Sequence, residues 1–449
     1  MKAEGRRSRS RPDISAGRCN RPPRVRFVAA PLTAASTSIG SARKWGLVCL
    51  LGVGMMIAYI DRANLSVALA VPAFRDFFGL DDTDRGFLNS AFFWSYAALQ
   101  IPAGWIVDRY GAKLPYALGF VFWSLVSAAT GLAQNNWQLA SARLWLGAGE
   151  AVSTPASLRW IRCNCREEER GLATGIYFSG TKIGTAIGFP LTAVLVARFG
   201  WRWMFAILGL GGLAWVIAWM AFANRDGGVR EKRAPAVEPA SSGLAAMLKT
   251  RTSWGILLGT FAYNYFIYFC LTWLPAYLVE YRRLSMHAMS VFSVFSFTGM
   301  AVVATAAGWF ADRSIRRGGK PVRVRKLFTI LGFVLASTEI LGALSHSQFV
   351  ALFFAVFSMA GLGLATANYW ALTQTIVPAR TIGRYVGVQN MASNCSGVAA
   401  PILTGWLNKA TGDYRAAMVA VLAMMLLGIY SYAFLVRPME GENSEWRNL

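Results

Sequence analysis

Twelve apolar blocks, each about 20 residues long or slightly longer, follow one another along this 449-residue chain. A helix of roughly 20 apolar residues is long enough to cross the ~30 Å hydrocarbon core of a bilayer. Strands that span a membrane would instead alternate over segments of about 10 residues, and the sequence lacks that pattern. We therefore predict an all-α membrane protein with twelve transmembrane helices. The blocks lie at about 45–74, 86–107, 114–133, 137–158, 171–197, 202–223, 253–279, 288–311, 327–345, 348–377, 382–407 and 414–436.

The Lys and Arg residues indicate how these helices are oriented and which partners to exclude. The net charge is +23, and eleven basic residues precede Trp45. Most of the others occupy short loops on one side of the predicted membrane, as the positive-inside rule requires. We therefore place both termini in the cytoplasm and the protein in the cell inner membrane. No basic and aromatic cluster resembles a nucleic-acid module, so no nucleic-acid partner is expected.

A polar segment rich in charge, Pro and Ser divides the blocks into six and six. The pattern G-W-x-x-D-R closes the second block, in GWIVDRYGAK, and the eighth, in GWFADRSIRRGGK, 204 residues later. This repeat indicates two six-helix pseudo-repeats with a site between them. The predicted organisation is a disordered basic cytoplasmic tail (1–44), an N-terminal six-helix bundle (45–223), a cytoplasmic linker (224–252), a C-terminal six-helix bundle (253–436) and a cytoplasmic tail (437–449).

These motifs resemble those of a known family. The loop after the second block is similar to the signature loop of the major facilitator superfamily, with a weaker copy after the eighth block. YIDRANLSVA, QIPAGWIVDRYG, ERGLATGIYFSG, GWRWMF and LTWLPAYL resemble the anion:cation symporter family, closest to its sugar-acid transporter branch. The resemblance covers about residues 45–436. It implies the major facilitator fold and proton-coupled uptake of an organic anion by alternating access.

Two charges lie side by side in the first block, Asp61 and Arg62. A charge at mid-bilayer costs at least about 2.5–3.5 kcal/mol, so by default it marks a functional site. The two side chains point about 100° apart on an ideal helix. Arg62 shares a face with Tyr59, while Asp61 and Asn64 lie toward another face. A guanidinium suits a carboxylate, and a buried Asp can take a proton; a static ion pair is the alternative. The resemblance implies that Arg62 contacts the substrate carboxylate and that Asp61 takes part in proton coupling.

The fourth block carries Arg143 and Glu150, which lie on one helix face about 10 Å apart. Either can pair with the first helix or with the other across a small gap. A carboxyl group that exchanges an arginine for a proton would couple proton entry to a conformational change. A fixed salt bridge between helices is the alternative. The resemblance gives Glu150 the proton role, with Arg143 as its partner.

Lys182 lies in the fifth block, too far from either end for its side chain to reach a membrane face. If it faces the central cavity, it supplies a second cation opposite Arg62 and suits a dicarboxylate or a carboxylate with a polyol tail. Alternatively, it is the partner of Asp61 or Glu150. The sequence leaves both interpretations open.

Hydroxyl, amide and aromatic side chains recur near the middle of other blocks. Such groups suit a polyhydroxylated substrate, because each sugar hydroxyl needs a donor and an acceptor; hydrogen bonding between helices is the alternative. We interpret Glu339, nearer the outer end of the ninth block, as structural. The predicted substrate-binding residues are Tyr59, Arg62, Asn64, Tyr96, Lys182, Tyr265, Tyr268, Trp370, Asn390 and Asn394.

The two copies of G-W-x-x-D-R place charges at predicted cytoplasmic helix ends. The predicted gating residues are Asp108, Arg109, Lys113, Asp312 and Arg313. They would pair helices, and the two halves, in the outward-open state. A solvated face is the alternative, although the recurring pattern indicates a shared role.

The sequence contains no Ser-His-Asp, metal-binding or cofactor-binding constellation. We therefore expect no enzyme activity, no cofactor and no metal. We predict a monomeric, proton-coupled symporter in the lipid bilayer that imports an organic anion, most favourably a sugar acid. An aromatic or dicarboxylic acid is the alternative within the family. A drug/proton antiporter is more distant, because GTAIGFPLTAV lacks the G-P-x-x-G-G ending of those exporters.

Overall fold

The computed structural model describes residues 41–165, 167–223, 247–377 and 382–437. These residues form α-helices, two short π-helices and the turns between them, with no strand among them. The predicted tails and most of the predicted linker lie outside the described residues. Seven helical stretches in the described part are long and apolar enough to cross a membrane.

Fourteen α-helices are described, and several correspond to one predicted block each. Helices α5 and α6 share the fourth block, α10 and α11 share the ninth, and α7 covers the fifth and sixth. In chain order they are α1 (Ser41–Leu69), α2 (Pro72–Phe78), α3 (Asp82–Tyr110), α4 (Lys113–Thr130), α5 (Asn136–Glu150), α6 (Ser153–Asn164), α7 (Glu167–Phe222), α8 (Arg251–Ala276), α9 (Met286–Arg316), α10 (Pro321–Ala336), α11 (Glu339–Leu344), α12 (Gln348–Ile376), α13 (Ile382–Thr411) and α14 (Tyr414–Tyr430). The π-helices Tyr277–Tyr281 and Ser431–Leu435 extend α8 and α14.

Helix α7 consists of two membrane-length arms joined at a sharp bend. The backbone leaves the helical conformation at Gly200, where φ is +77°, a value that glycine adopts readily. Before the bend, Gly180 and then Gly188 contact successively later positions of α1. After the bend, Gly212 and then Trp215 contact successively earlier ones. The two arms therefore run in opposite directions along α1, as two separate membrane crossings require.

Small residues allow the first arm of α7 to approach α1 closely. A Cβ atom added at Gly184 would lie 2.4 Å from the carbonyl oxygen of Met56. One added at Gly180 would lie 2.3 Å from the carbonyl oxygen of Gly52. Such contacts between backbones are typical of helix pairs in membranes. They fix the position of α1 just before its Asp-Arg pair.

The two halves of the chain meet at one end of the bundle, which we call the α2 end because α2 lies there. Helix α3 of the first half packs tightly on α13 of the second. A Cβ atom added at Gly86 would lie 2.5 Å from the carbonyl oxygen of Pro401, and one added at Gly405 would lie 2.2 Å from that of Asp82. Further along α3, at the opposite end, Tyr110 is 62% exposed. The structure is therefore closed at the α2 end.

Buried charges reinforce this closure. The Arg85 guanidinium, 2% exposed, donates to both carboxylate oxygens of Glu280 at 2.7 and 3.0 Å and to Asp82 at 2.7 Å. It also lies 4.9 Å from the ring centroid of Trp273. Because Arg85 belongs to the first half while Glu280 and Trp273 belong to the second, these contacts join the halves. Further ion pairs complete the α2-end ion network, which comprises Arg75, Asp81, Asp82, Arg85, Glu280 and Lys409.

The pair between Asp81 and Lys409 stays charged in mildly acidic solution. Lys409 Nζ donates to Asp81 Oδ2 at 2.6 Å. This hydrogen bond holds the pKa of Asp81 below its ordinary value, which is about 3.9. A lowered carboxyl pKa means that the stabilisation is present above the ordinary pKa and is lost only on further acidification. Modest acidification therefore leaves this ion pair intact.

We expect Gly184→Ala to destabilise the protein, because the added methyl group must displace the backbone of α1. Overpacking of this kind costs about 1–3 kcal/mol. Gly175→Ala is the matched control on the same helix, since its added carbon meets nothing within 4 Å. Thermal unfolding of the detergent-purified protein measures both. Equal midpoints for the two variants would contradict the close helix contact.

Arg85→Glu is expected to open the α2 end, because it places like charges together at a buried position. Hydrogen bonds to charged groups contribute about 1.5–3 kcal/mol, so the open population should rise about 10- to 100-fold. Spin labels at Phe77 and His287, in a variant without native cysteines, should report longer distances. Adding Glu280→Arg should restore the original distances. Unchanged distances in the single variant would show that the network does not hold the halves together.

Candidate functional site

An ion pair between Arg62 of α1 and Glu150 of α5 lies at the centre of the candidate site. The Nε atom of Arg62 donates to Glu150 Oε2 at 2.8 Å. The Nη2 atom is also 2.8 Å from that oxygen, but only Nε is aligned for a hydrogen bond. The side chains are 4% and 0% exposed. Water contributes little screening at such a position, so each charge depends on the other.

Three aromatic rings surround the Arg62 guanidinium. Its carbon lies 4.7 Å from the ring centroid of Tyr59, 4.6 Å from that of Phe92 and 4.7 Å from that of Tyr96. Tyr96 also stacks on Phe92, with ring centroids 5.3 Å apart. Cation–π contacts of this kind stabilise a desolvated cation and orient it. The rings therefore hold the guanidinium in place while leaving Glu150 as its ionic partner.

Asp61 points to a different helix from Arg62, as the helical geometry predicts. Its Oδ1 atom accepts hydrogen bonds from Ser127 of α4 at 2.8 Å and from Asn64 at 3.4 Å. Its Oδ2 atom has no hydrogen-bond partner among the described residues, and the same is true of Oε1 of Glu150. Leaving a buried acceptor unsatisfied is costly. Each of the two carboxyl groups therefore has one buried oxygen able to take a proton.

Arg143 contacts the main chain of Asp61, while the hydrogen-bonded ion-pair partner of Glu150 is Arg62. The Nη1 atom of Arg143 donates to the Asp61 carbonyl oxygen at 3.4 Å. The resemblance had implied Arg143 as the partner of Glu150, whereas the structure pairs Glu150 with Arg62. Seven residues along a helix place the backbones of Arg143 and Glu150 about 10 Å apart, whereas α1 places Arg62 within hydrogen-bond distance of Glu150. We call Asp61, Arg62, Arg143 and Glu150 the charge centre.

Two predicted residues of the second half lie directly against α3. The ring of Tyr268 is 4.5 Å from that of Phe93, next to the aromatic rings around Arg62. Asn390 donates to Gln100 at 3.0 Å. These contacts bring polar groups of α8 and α13 to the helix that carries Phe92 and Tyr96. Of the other predicted residues in this half, Tyr265 and Asn394 are buried, and Trp370 is half-buried with its ring 5.3 Å from Tyr369.

Lys182 lies on the first arm of α7, where it lines a cavity between α7 and α9. It forms no hydrogen bond or ion pair with the residues that the structure describes. In this conformation Lys182 therefore pairs with neither Asp61 nor Glu150, the two partners considered from the sequence.

The predicted gating residues pair within their own halves. Asp108 accepts from Arg159 at 3.0 Å, which joins α3 to α6. Asp312 accepts from Arg325 at 2.9 Å, which joins α9 to α10. Lys113 donates to the carbonyl oxygen of Ala223 at 2.5 Å. The remaining two, Arg109 and Arg313, lie over the rings of Trp105 and Trp309 at 5.5 and 5.4 Å.

Sequence reasoning missed several residues around these groups. Phe92 is an apolar residue in an apolar block and Ser127 is a small hydroxyl, so neither stands out in the sequence. Arg85 and Glu280 could have been found as opposite charges at the ends of blocks in different halves. Glu339, interpreted as structural, accepts a hydrogen bond from Ser358 of α12.

Comparison with known proteins adds an independent finding. The family profile described as Major Facilitator Superfamily matches residues 51–401. The chain is 30% identical over 416 residues to the D-galactonate transporter of Escherichia coli O6:H1, covering 88% of this chain and 96% of that protein. It is 30% identical over 418 residues to the hexuronate transporter of Bacillus subtilis (strain 168), covering 90% and 97%. Among solved structures, a bacterial homolog of the human lysosomal transporter Spinster, inward-facing and unoccupied, superposes with a TM-score of 0.77 at 18% identity, covering 89% and 98%.

We expect the Arg62–Glu150 pair to show strong energetic coupling. Glu150→Leu alone leaves a buried guanidinium without its counter-charge, which costs about 3–5 kcal/mol. Arg62→Met alone should cost a similar amount for the converse reason. The double variant should recover most of the loss, because neither member of the Arg62–Glu150 pair then remains without its counter-charge. Thermal unfolding of all four proteins measures this cycle, and additive effects of the two single substitutions would rule out the coupling.

Proposed function

This chain belongs to the Major Facilitator Superfamily, and from that membership we propose that it imports a sugar acid together with protons by alternating access. As a transporter of this superfamily it is a multi-pass, all-helical membrane protein and not an enzyme, which confirms the predicted fold class. Its relatives named as galactonate and hexuronate transporters support a hexuronate, aldonate or aldarate as the substrate. On our proposal the protein works as a monomer in the cell inner membrane.

The distribution of basic loops supports an orientation for this transporter. Both termini are cytoplasmic in our proposal, following the positive-inside rule. The α2 end then faces outward, and the described conformation is closed to the outside. The gating residues at the other end have partners within their own halves in this state, and on our proposal they pair across the halves when the protein opens outward. The α2-end ion network would open in that same step.

The observation that carries the proposal is the buried pair between Arg62 and Glu150. A substrate carboxylate can form a full ion pair with the Arg62 guanidinium only if the ion pair between Arg62 and Glu150 breaks. Released as a carboxylate, Glu150 would lose its hydrogen-bonded counter-charge while remaining buried, which is costly. A proton on Glu150 removes that cost. Charge balance at this position therefore requires the anion and the proton to bind together, which is the basis of symport.

The neighbouring groups of the charge centre have supporting roles in this mechanism. Asp61 keeps one oxygen without a hydrogen-bond partner in the described part of the chain, so we assign it a second proton site. Arg143, which contacts the Asp61 main chain, supplies positive potential that favours the deprotonated acids after proton release. Protons bound at these acids would thus be released to the side of the membrane toward which the space between the two halves is open.

The remaining substrate contacts would come from both halves of the protein. Tyr59 and Tyr96 flank Arg62 in the first half, while Tyr268 and Asn390 lie against α3 from the second. Hydroxyl and amide groups there would serve the sugar hydroxyls as donors and acceptors. A substrate held between the halves would favour the arrangement in which both sets of contacts form. We assign the same role to Asn64, Tyr265, Trp370 and Asn394.

Counterflow and proton-driven uptake in proteoliposomes test the two central roles separately. With galactonate or glucuronate, Arg62→Lys should lower counterflow at least tenfold, because an ammonium lacks the planar, two-pronged geometry. Glu150→Gln should retain exchange but lose accumulation driven by a proton gradient. Arg198→Lys, an exposed conservative change on α7, is the control. Normal counterflow in Arg62→Lys would overturn the carboxylate assignment, and normal accumulation in Glu150→Gln would overturn the coupling assignment.

A further inference from the structure

A cavity of about 440 Å³ lies between the first arm of α7 and α9 and is open on its outer side, where Ile183 and Ile187 are 47% and 44% exposed. Its walls are mostly aliphatic, with Ile183 and Ile187 on α7 and Val294 and Ala301 on α9. A second cavity of about 390 Å³, which shares residues of both helices, extends it toward the α2 end. The combined space lies in the size range of small-molecule sites. We call it the α7–α9 cavity.

One cation faces this apolar space. Lys182 is the charged residue among those that line the first cavity, and it has no hydrogen-bond or ionic partner in the described part of the chain. An ammonium group within a membrane-spanning helix is costly unless an anion pairs with it or water solvates it. The cavity therefore offers a positive charge at one side of a volume that prefers hydrocarbon.

Helix geometry separates Lys182 from the charge centre. Gly184 of the same arm contacts α1, where its added Cβ would lie 3.0 Å from Cβ of Tyr59. Two residues along a helix correspond to a rotation of about 200°. Lys182 therefore points away from α1 and toward α9. Since buried hydroxyls need hydrogen-bond partners, this apolar lining also disfavours the polyol body of a sugar acid.

We propose that the α7–α9 cavity is a second ligand site that binds an amphipathic monocarboxylate. The carboxylate pairs with the Lys182 ammonium, and the hydrocarbon body lies between Ile187 and the α9 wall. Charge complementarity and the aliphatic lining together define this ligand class. The site is separate from the sugar-acid site proposed above and does not depend on it.

Occupation of this site would act on the conformation of the protein. Helix α7 belongs to the first half and α9 to the second, and they touch beside the cavity, where the rings of Phe189 and Phe297 are 5.6 Å apart. A ligand that contacts both walls favours the arrangement in which those walls lie together. The bound monocarboxylate therefore inhibits transport by holding the halves in the state closed at the α2 end.

Binding of radiolabelled decanoate to the full-length protein in neutral-lipid nanodiscs tests the proposal. Lys182→Gln should weaken specific binding at least tenfold, and Ala301→Trp, which fills the cavity without changing charge, should abolish it. Arg198→Gln is the matched control, since it removes a cation from an exposed position of the same helix. Decanol, with the same chain but no carboxylate, should fail to displace the label. Monodisperse elution checks that each variant is folded.

Two results would overturn the second site. Equal decanoate binding in wild type and Lys182→Gln would show that the lysine does not hold the carboxylate. Loss of decanoate binding in Arg62→Lys would place the ligand in the charge centre instead. A failure of sugar-acid counterflow would contradict the proposed function but leave this binding test intact. Where counterflow is measurable, decanoate should lower its maximal rate in wild type and have little effect in Lys182→Gln.

Discussion

Both side chains of the Arg62–Glu150 ion pair are buried, and three aromatic rings surround the Arg62 guanidinium. In a medium of low dielectric, neither charge is stable without the other. The positions of α1, α5 and α3 are therefore linked, because each contributes a group that this pair requires. The close approach of α7 to α1, which glycines permit, fixes the helix that carries Arg62. On the proposed function, transport of an anion exchanges one partner of this pair without leaving the other charge exposed to hydrocarbon.

The same constraint explains why ionic contacts at the α2 end differ from those in the centre. The α2-end ion network joins the halves through the buried Arg85, and its three acidic and three basic side chains balance one another within the protein. It closes one end of the bundle through direct contacts between the two halves. The charge centre instead leaves a carboxyl oxygen on each of two acids without a hydrogen-bond partner among the described residues. On the proposed function, closure depends on the first group of charges and proton binding on the second.

The sequence predicted much of the candidate site because charges in apolar blocks are rare. Asp61, Arg62, Arg143 and Glu150 stand out for this reason, and helical periodicity correctly placed Arg62 with Tyr59 and Asp61 with Asn64. Periodicity describes one helix at a time, however, so it left the partner of Glu150 open, and the resemblance suggested Arg143. Phe92 and Ser127 could not be selected, since nothing distinguishes them from other residues of their blocks. Lys182 was recognised as unusual, but its surroundings depend on how α7 packs against α9.

The sequence by itself determined the class of the molecule, because the length and apolarity of its blocks leave membrane-spanning helices as the available structure. It also identified the repeated loop and the intramembrane charges, which are local properties of the chain. Only the tertiary structure decided which charges pair, which end is closed and where Lys182 points. These outcomes depend on contacts between helices far apart in sequence, such as α1 with α5 and α7 with α9. Distances of a few ångströms set their energies, and no local pattern in the sequence encodes those distances.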